Sequence, residues 1–190
     1  MKTRKASILR EAKTCSKTRI ILLTVVLVFS MQVTPALAAR SLLSVPEYSQ
    51  QPYQNLCWAT CASMVISFFK GDSVDRKVEI AKDKYGQNFN QPATLEDTKY
   101  YITRYTSRAG SFQNNALSYT AVQYQINNRG PIVSRVLLAG GGHQMVIKGY
   151  DTSYSSVIYN DPWDGLGHSA SYSYYVRNER WTWDRSLFYY

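Results

Sequence analysis

Gln51-Pro52-Tyr53-Gln54-Asn55-Leu56-Cys57-Trp58-Ala59-Thr60-Cys61-Ala62-Ser63-Met64-Val65-Ile66-Ser67-Phe68-Phe69-Lys70-Gly71 is the stretch on which the reading of the fold turns. Its apolar residues Cys57, Cys61, Met64, Val65 and Phe68 recur at i, i+4, i+7, i+8 and i+11, which is one face of a helix. Lys70-Gly71 closes that helix with a cation and a glycine. Residues 40–55 carry Pro46, Pro52 and several polar side chains, and read as an extended arm. A helix is therefore expected from Leu56 to Phe69, with Cys57 in its first turn directly after the arm.

Downstream, Asp75 to Tyr85 predicts a second helix, ended by Gly86. Thr94-Leu95-Glu96-Asp97 resembles a capping box, with Asp in place of the usual Glu or Gln, and opens a helix to about Tyr105. A further helix is expected from Ser118 to Arg129, stopped by Gly130-Pro131. Then the pattern changes. Ile132 to Leu138, Gln144 to Tyr150, Val157 to Asn160 and Ser169 to Val176 read as strands, and Asp151 to Ser156 as a hairpin loop. Helices first and strands second give an α+β order, with the two halves meeting along a cleft.

Upstream, residues 1–19 hold seven Lys or Arg against the single Glu11. Ile20 to Met31 is almost unbroken apolar, and Ala36-Leu37-Ala38 supplies small residues at a cleavage site. A basic stretch, an apolar stretch of 12 residues and a small-residue exit predict a signal peptide over residues 1–38. Spanning a bilayer takes roughly 20 apolar residues, so no stable membrane association is expected after cleavage. The leader's +6 accounts for most of the chain's +9, leaving +3 on residues 39–190. That remainder has no basic stripe, which argues against nucleic-acid binding. Residues 39–190 suffice for a single domain, expected as a monomer, secreted to the outside or to the periplasm of a two-membrane cell.

Cys15 leaves with the leader, and Cys57 and Cys61 remain four apart on one helix, where disulfide geometry is strained. Their thiols need another explanation. A thiol at a helix N-terminus lies against unpaired N–H groups that favour the thiolate, which is the nucleophilic form. Taken alone, Cys57 would more simply be a small buried hydrophobe. A thiolate nucleophile also needs a base. Of the two histidines, His143 opens the strand after Gly140-Gly141-Gly142, whereas His168 sits in Gly165-Leu166-Gly167-His168, read as an exposed loop. Three glycines leave the backbone bare for a close approach. If the strands of His143 and Val157 to Asn160 pair antiparallel, Asp161 returns beside His143, where it could orient the imidazole. Asn160 is the close alternative. Gln51, six residues before Cys57, could donate to an oxyanion together with the Cys57 N–H, and Gln50 and Gln54 compete for that role.

Gln51-Pro52-Tyr53-Gln54-Asn55-Leu56-Cys57-Trp58-Ala59, Gly142-His143-Gln144-Met145-Val146-Ile147-Lys148-Gly149-Tyr150 and Asp161-Pro162-Trp163 together resemble the papain-like cysteine peptidases. Their small bacterial branch, with staphopain-like, bacteriocin-leader-processing and effector enzymes, is the nearest likeness. The resemblance spans residues 51–163 in the family's order of motifs. It implies a helical half carrying Cys57, a β half carrying His143 and Asp161, and Trp163 shielding the bond between the last two. Many such enzymes use Asn where Asp161 falls here, and carry a long inhibitory pro-segment for which Ala39 to Gln50 is too short.

No His-Glu-x-x-His, Cys-x-x-Cys, phosphate-binding glycine loop or Gly-x-Ser-x-Gly elbow occurs, so neither metal nor organic cofactor is expected. The expected partner is a protein or peptide substrate. The expected activity is a secreted endopeptidase working through a Cys57–His143–Asp161 triad and a thioester. A transglutaminase-like acyltransferase or cell-wall amidase would use the same residues, and a binding module with a vestigial triad would use none of them.

Overall fold

The computed structural model describes residues 39–190; the leader read over residues 1–38 lies outside them. Helix α1 runs from Cys57 to Lys70, so its first residue is Cys57. No side chain caps that end, so the first N–H groups lack an intrahelical partner. At the other end Gly71 takes the left-handed φ of 67°, and its N–H turns back to Phe68 O at 3.3 Å. Every residue from Trp58 to Ser67 is buried, so the helix is covered all round rather than along the single face that periodicity suggested.

Helix α2 (Lys77–Tyr85) begins two residues later than expected. Asp75 Oδ1 accepts from Lys77 N, and Arg76 N donates to Ser63 Oγ at 2.6 Å, which fixes these residues as a lead-in to α2. Helix α3 (Leu95–Thr106) starts with the expected capping box: Asp97 N donates to Thr94 Oγ1, and Asp97 Oδ2 accepts from Thr94 N. Helix α4 (Tyr119–Asn128) is capped by Ser118, whose Oγ accepts from Ala121 N.

The strands are β1 (Arg40–Leu42), β2 (Gly110–Gln113), β3 (Ile132–Leu138), β4 (Gly141–Asp151), β5 (Ser156–Asp161), β6 (Leu166–Ser171) and β7 (Trp181–Tyr189). They form one antiparallel sheet in the order β2-β7-β3-β4-β5-β6, with β1 added on β4. The fold is α+β, with the Cys57 helix and its neighbours packed on a C-terminal antiparallel sheet. Two differences from the sequence reading matter. The strand expected over Ser169 to Val176 ends at Ser171, whose Oγ caps a short helix α5 (Tyr172–Val176) by accepting from Tyr174 N. The tail, for which no element had been read, supplies β7, which lies inside the sheet between β2 and β3.

The sheet has a core on each face. Val133, Val146, Leu187 and Tyr189 join α1 to α3 in one. Val136, Met145, Ile147, Tyr159 and Trp183 join α4 and α5 in the other. The arm is held in place: Leu42 pairs with Gly149, where a Cβ would stand 2.5 Å from Ser41 O, so only glycine fits.

Candidate active site

The β4–β5 pairing decides which side chain meets His143. Its last register pair at that end is Val146 with Asn160. Side chains alternate along a strand, so Asn160 faces the helices with Val146, while Asp161 faces the other way with His143 and Met145. Asn160 is buried and donates to Pro46 O at 3.0 Å, holding the arm, and is thereby removed as a partner of the histidine. Asp161 Oδ1 lies 2.7 Å from His143 Nε2. A carboxylate only accepts, so Nε2 carries the hydrogen and Nδ1 is the nitrogen left for Cys57. Trp163 N–H also donates to Asp161 Oδ1, at 2.9 Å, which fixes the carboxylate's rotation.

Charge follows geometry. Burial works to lower the pKa of His143, but the Asp161 carboxylate and the neighbouring Cys57 sulfur overcome it and push it up to about 10. Burial likewise works to raise Asp161, and the His143 hydrogen bond and charge, with the Trp163 N–H, hold it below its ordinary value. The imidazolium is the stable form between those limits. Cys57 and Cys61 are both free thiols. Cys57 is half-buried and opens into the cleft, whereas Cys61 is wholly buried and its thiol is pushed well up by that burial.

The three glutamines separate. Gln50 is fully buried, and its Nε2 donates to Tyr53 O at 3.2 Å and to Gln54 O at 2.7 Å, which commits both its N–H groups to the loop. Gln51 is exposed and its Nε2 donates to Trp163 O at 3.3 Å. Gln54 lines the cleft. The loop of residues 49–51 is stapled to the turn after β5: Gln50 N donates to Pro162 O at 2.7 Å. Gly165, at φ +75°, packs so closely that a Cβ would stand 2.7 Å from Ser49 Cβ.

The cleft itself holds about 340 Å³. Cys57, His143, Asp161 and Trp163 line it, Val136, Leu138, Met145 and Trp181 supply an apolar wall, and Pro92, Gln54 and Asn55 complete the lining. Gly140 and Gly141 have open space where a side chain would be, and Gly142 lines the cleft. The sequence reading missed the Trp181 part of this wall because it assigned no element to the tail. The signal was there in two short alternations, Trp181 with Trp183 and Leu187 with Tyr189, although the bulge at Asp184 sends the two pairs to opposite faces of the sheet. His168, expected in an exposed loop, is in β6, paired to Asp164 at 3.0 Å and tilted against Tyr159. Among the described residues no group of three or more His, Cys, Asp or Glu could hold a metal ion.

Residues 40–180 match the family described as papain-like cysteine protease AvrRpt2. Comparison with curated protein sequences finds no match. Among solved structures the chain is similar to a C39-like peptidase from Bacillus anthracis, at TM-score 0.56 and 15% identity, covering 80% of this chain and 98% of that one. It is similar also to xylellain, a cysteine protease from Xylella fastidiosa, at TM-score 0.57 and 12% identity, covering 79% and 85%. At those identities the likeness is one of fold.

Proposed function

Because the chain belongs to the papain-like cysteine protease family of AvrRpt2, we propose that it is a secreted endopeptidase with Cys57 as nucleophile, His143 as acid and base, and Asp161 as orienter. The observation that carries the reading is the imidazole of His143, held at 2.7 Å by Asp161 and set beside Cys57 at an uncapped helix start.

In the resting site the Cys57 thiolate faces the His143 imidazolium. The sulfur attacks the peptide carbonyl carbon, and the carbonyl oxygen becomes an oxyanion. The Cys57 N–H, free of any intrahelical partner, and the Gln51 amide are the donors assigned to it. His143 gives its Nδ1 proton to the leaving amine, the C–N bond breaks, and a thioester to Cys57 remains. Water then attacks the thioester with His143 taking its proton, and the acid product leaves as the thiolate returns. Asp161 keeps its proton off throughout and holds the ring in place.

Hydrolysis of a protein substrate, followed by mass spectrometry, tests this. Cys57→Ala and His143→Ala should each abolish cleavage with the fold intact by circular dichroism. In the wild type, iodoacetamide should label Cys57 and leave Cys61 untouched, and His143→Ala should slow the labelling of Cys57. Cleavage retained by Cys57→Ala would sink the assignment. The order of basic, apolar and small residues over 1–38 supports export. Protein recovered from the culture medium of the producing cell should begin at Ala39, and recovery only with the full leader attached would overturn that part.

A further inference from the structure

The charges around the cleft are unevenly used. His143 is shared by Asp161 and Cys57, and the wall formed by Val136, Leu138, Met145 and Trp181 is apolar. The remaining ionisable side chain on the lining is Arg180, which is exposed and makes no salt bridge among the described residues. Neighbouring acids do not neutralise it. Glu179 lies 3.4 Å from Tyr174 OH, and Asp184 is bound by Arg135. Nor is Arg180 a loose residue on a floppy turn. Its N–H and that of Trp181 both donate to Asn178 Oδ1, at 2.8 and 3.1 Å, and Asn178 Nδ2 in turn donates to Tyr174 O at 2.8 Å. The backbone is thus pinned beside the indole of Trp181, whose Nε1 is itself bonded to Tyr175 O at 2.9 Å.

A pinned backbone, a free guanidinium and an apolar wall next to it make a two-part reader. We propose that Arg180 sets substrate preference, selecting peptides that carry a Glu or Asp side chain near the scissile bond, next to an apolar one that lies on the Val136–Trp181 wall. Guanidinium pairs with carboxylate through two parallel N–H donors, which Lys or Gln in its place cannot reproduce. The pair forms at the rim, where salt screens it, so its size is modest and falls with ionic strength. This rests on the peptidase reading of the same cleft.

Two measurements keep the proposal and that reading apart. Pairs of octapeptides differing only by Glu or Gln at each position in turn are bound to the Cys57→Ala protein, by fluorescence polarisation, and separately offered to the wild type for cleavage. One position should favour Glu by about fivefold at low salt, in binding and in kcat/KM, shrinking toward parity at about 0.5 M salt. Arg180→Gln should bring the Glu-to-Gln ratio of kcat/KM to about one, and Arg180→Glu should turn the preference toward Lys. Cleavage with less than a 1.5-fold Glu preference at every position, or a preference that survives Arg180→Gln, would overturn the assignment of Arg180 and leave the peptidase intact. Glu-selective binding lost in Arg180→Gln, with no peptide cleaved by the wild type, would instead overturn hydrolysis and keep Arg180. Peptides neither bound nor cleaved would remove both.

Discussion

In the proposed mechanism Asp161 works through the charge of His143, and the pH profile would expose that. Its carboxylate and the Cys57 sulfur together hold the imidazolium to about pH 10, so the alkaline limb of kcat/KM should lie near there. Asp161→Asn removes the charge that raises the histidine. The limb should then move down by about one to two pH units, read from kcat/KM across pH; an unmoved limb would show that the carboxylate does not set it. Neighbouring glutamines do different work. Gln51→Ala should lower kcat about 100-fold, the size of one oxyanion donor, while iodoacetamide, which forms no oxyanion, still alkylates Cys57 at the wild-type rate. Gln50→Leu leaves two loop carbonyls without their donor, and should cost about 1–3 kcal/mol in urea unfolding. Sequence spacing put Gln51 first, with Gln50 and Gln54 as competitors. Burial sets Gln50 apart, because a side chain sealed under its own loop cannot reach substrate, whereas Gln51 and Gln54 are both exposed.

At the scale of elements, two stretches meet to make the site: the loop before α1 and the turn after β5. Their contact has room for one residue type at its closest point. Gly165→Ala would need a left-handed φ of 75° and a Cβ 2.7 Å from Ser49 Cβ, so it should lower both the urea midpoint and kcat/KM. Thr94→Ala is its counterpart, because it removes the cap of α3 away from the cleft. It should cost about 1 kcal/mol of stability and leave kcat/KM unchanged. A Gly165→Ala protein of wild-type activity would mean that the staple does not position the glutamine loop. Helices α1 to α4 and strands β3 to β5 were legible because period and punctuation agreed. Strand β6 was read three residues short at its start and five too long at its end, since Ser171 is both a good strand residue and a helix cap, and only Tyr175 reaching the core selects the second.

Over the whole molecule, the same two residues link stability to pH. In the unfolded chain a histidine titrates near about 6.5, whereas His143 in the fold holds its proton to about 10. Its contribution is therefore complete below about pH 6.5 and is lost progressively as pH rises to about 10. Asp161, lowered in the fold, contributes above the ordinary carboxylate range and loses that contribution as pH falls through its depressed value. The urea midpoint of the wild type should fall more than that of His143→Ala between pH 7 and pH 9.5. Equal falls in the two proteins would show that the pair adds nothing to folding.

The order of helix and strand, a helix with Cys57 in its first turn and the candidates His143 and Asp161, with Asn160 beside the latter, were legible in the sequence alone. They depend on short-range periodicity, turn chemistry and the number of residues able to do each job, and those are written along the chain. Sequence alone could not decide between Asp161 and Asn160, between Gln50 and Gln51, or what walls the cleft. Each of those turns on which face of a strand or which side of a loop a residue occupies. A shift of one residue in register exchanges the faces, and the register of β4 on β5 and the place of β7 inside the sheet come from pairings between distant parts of the chain.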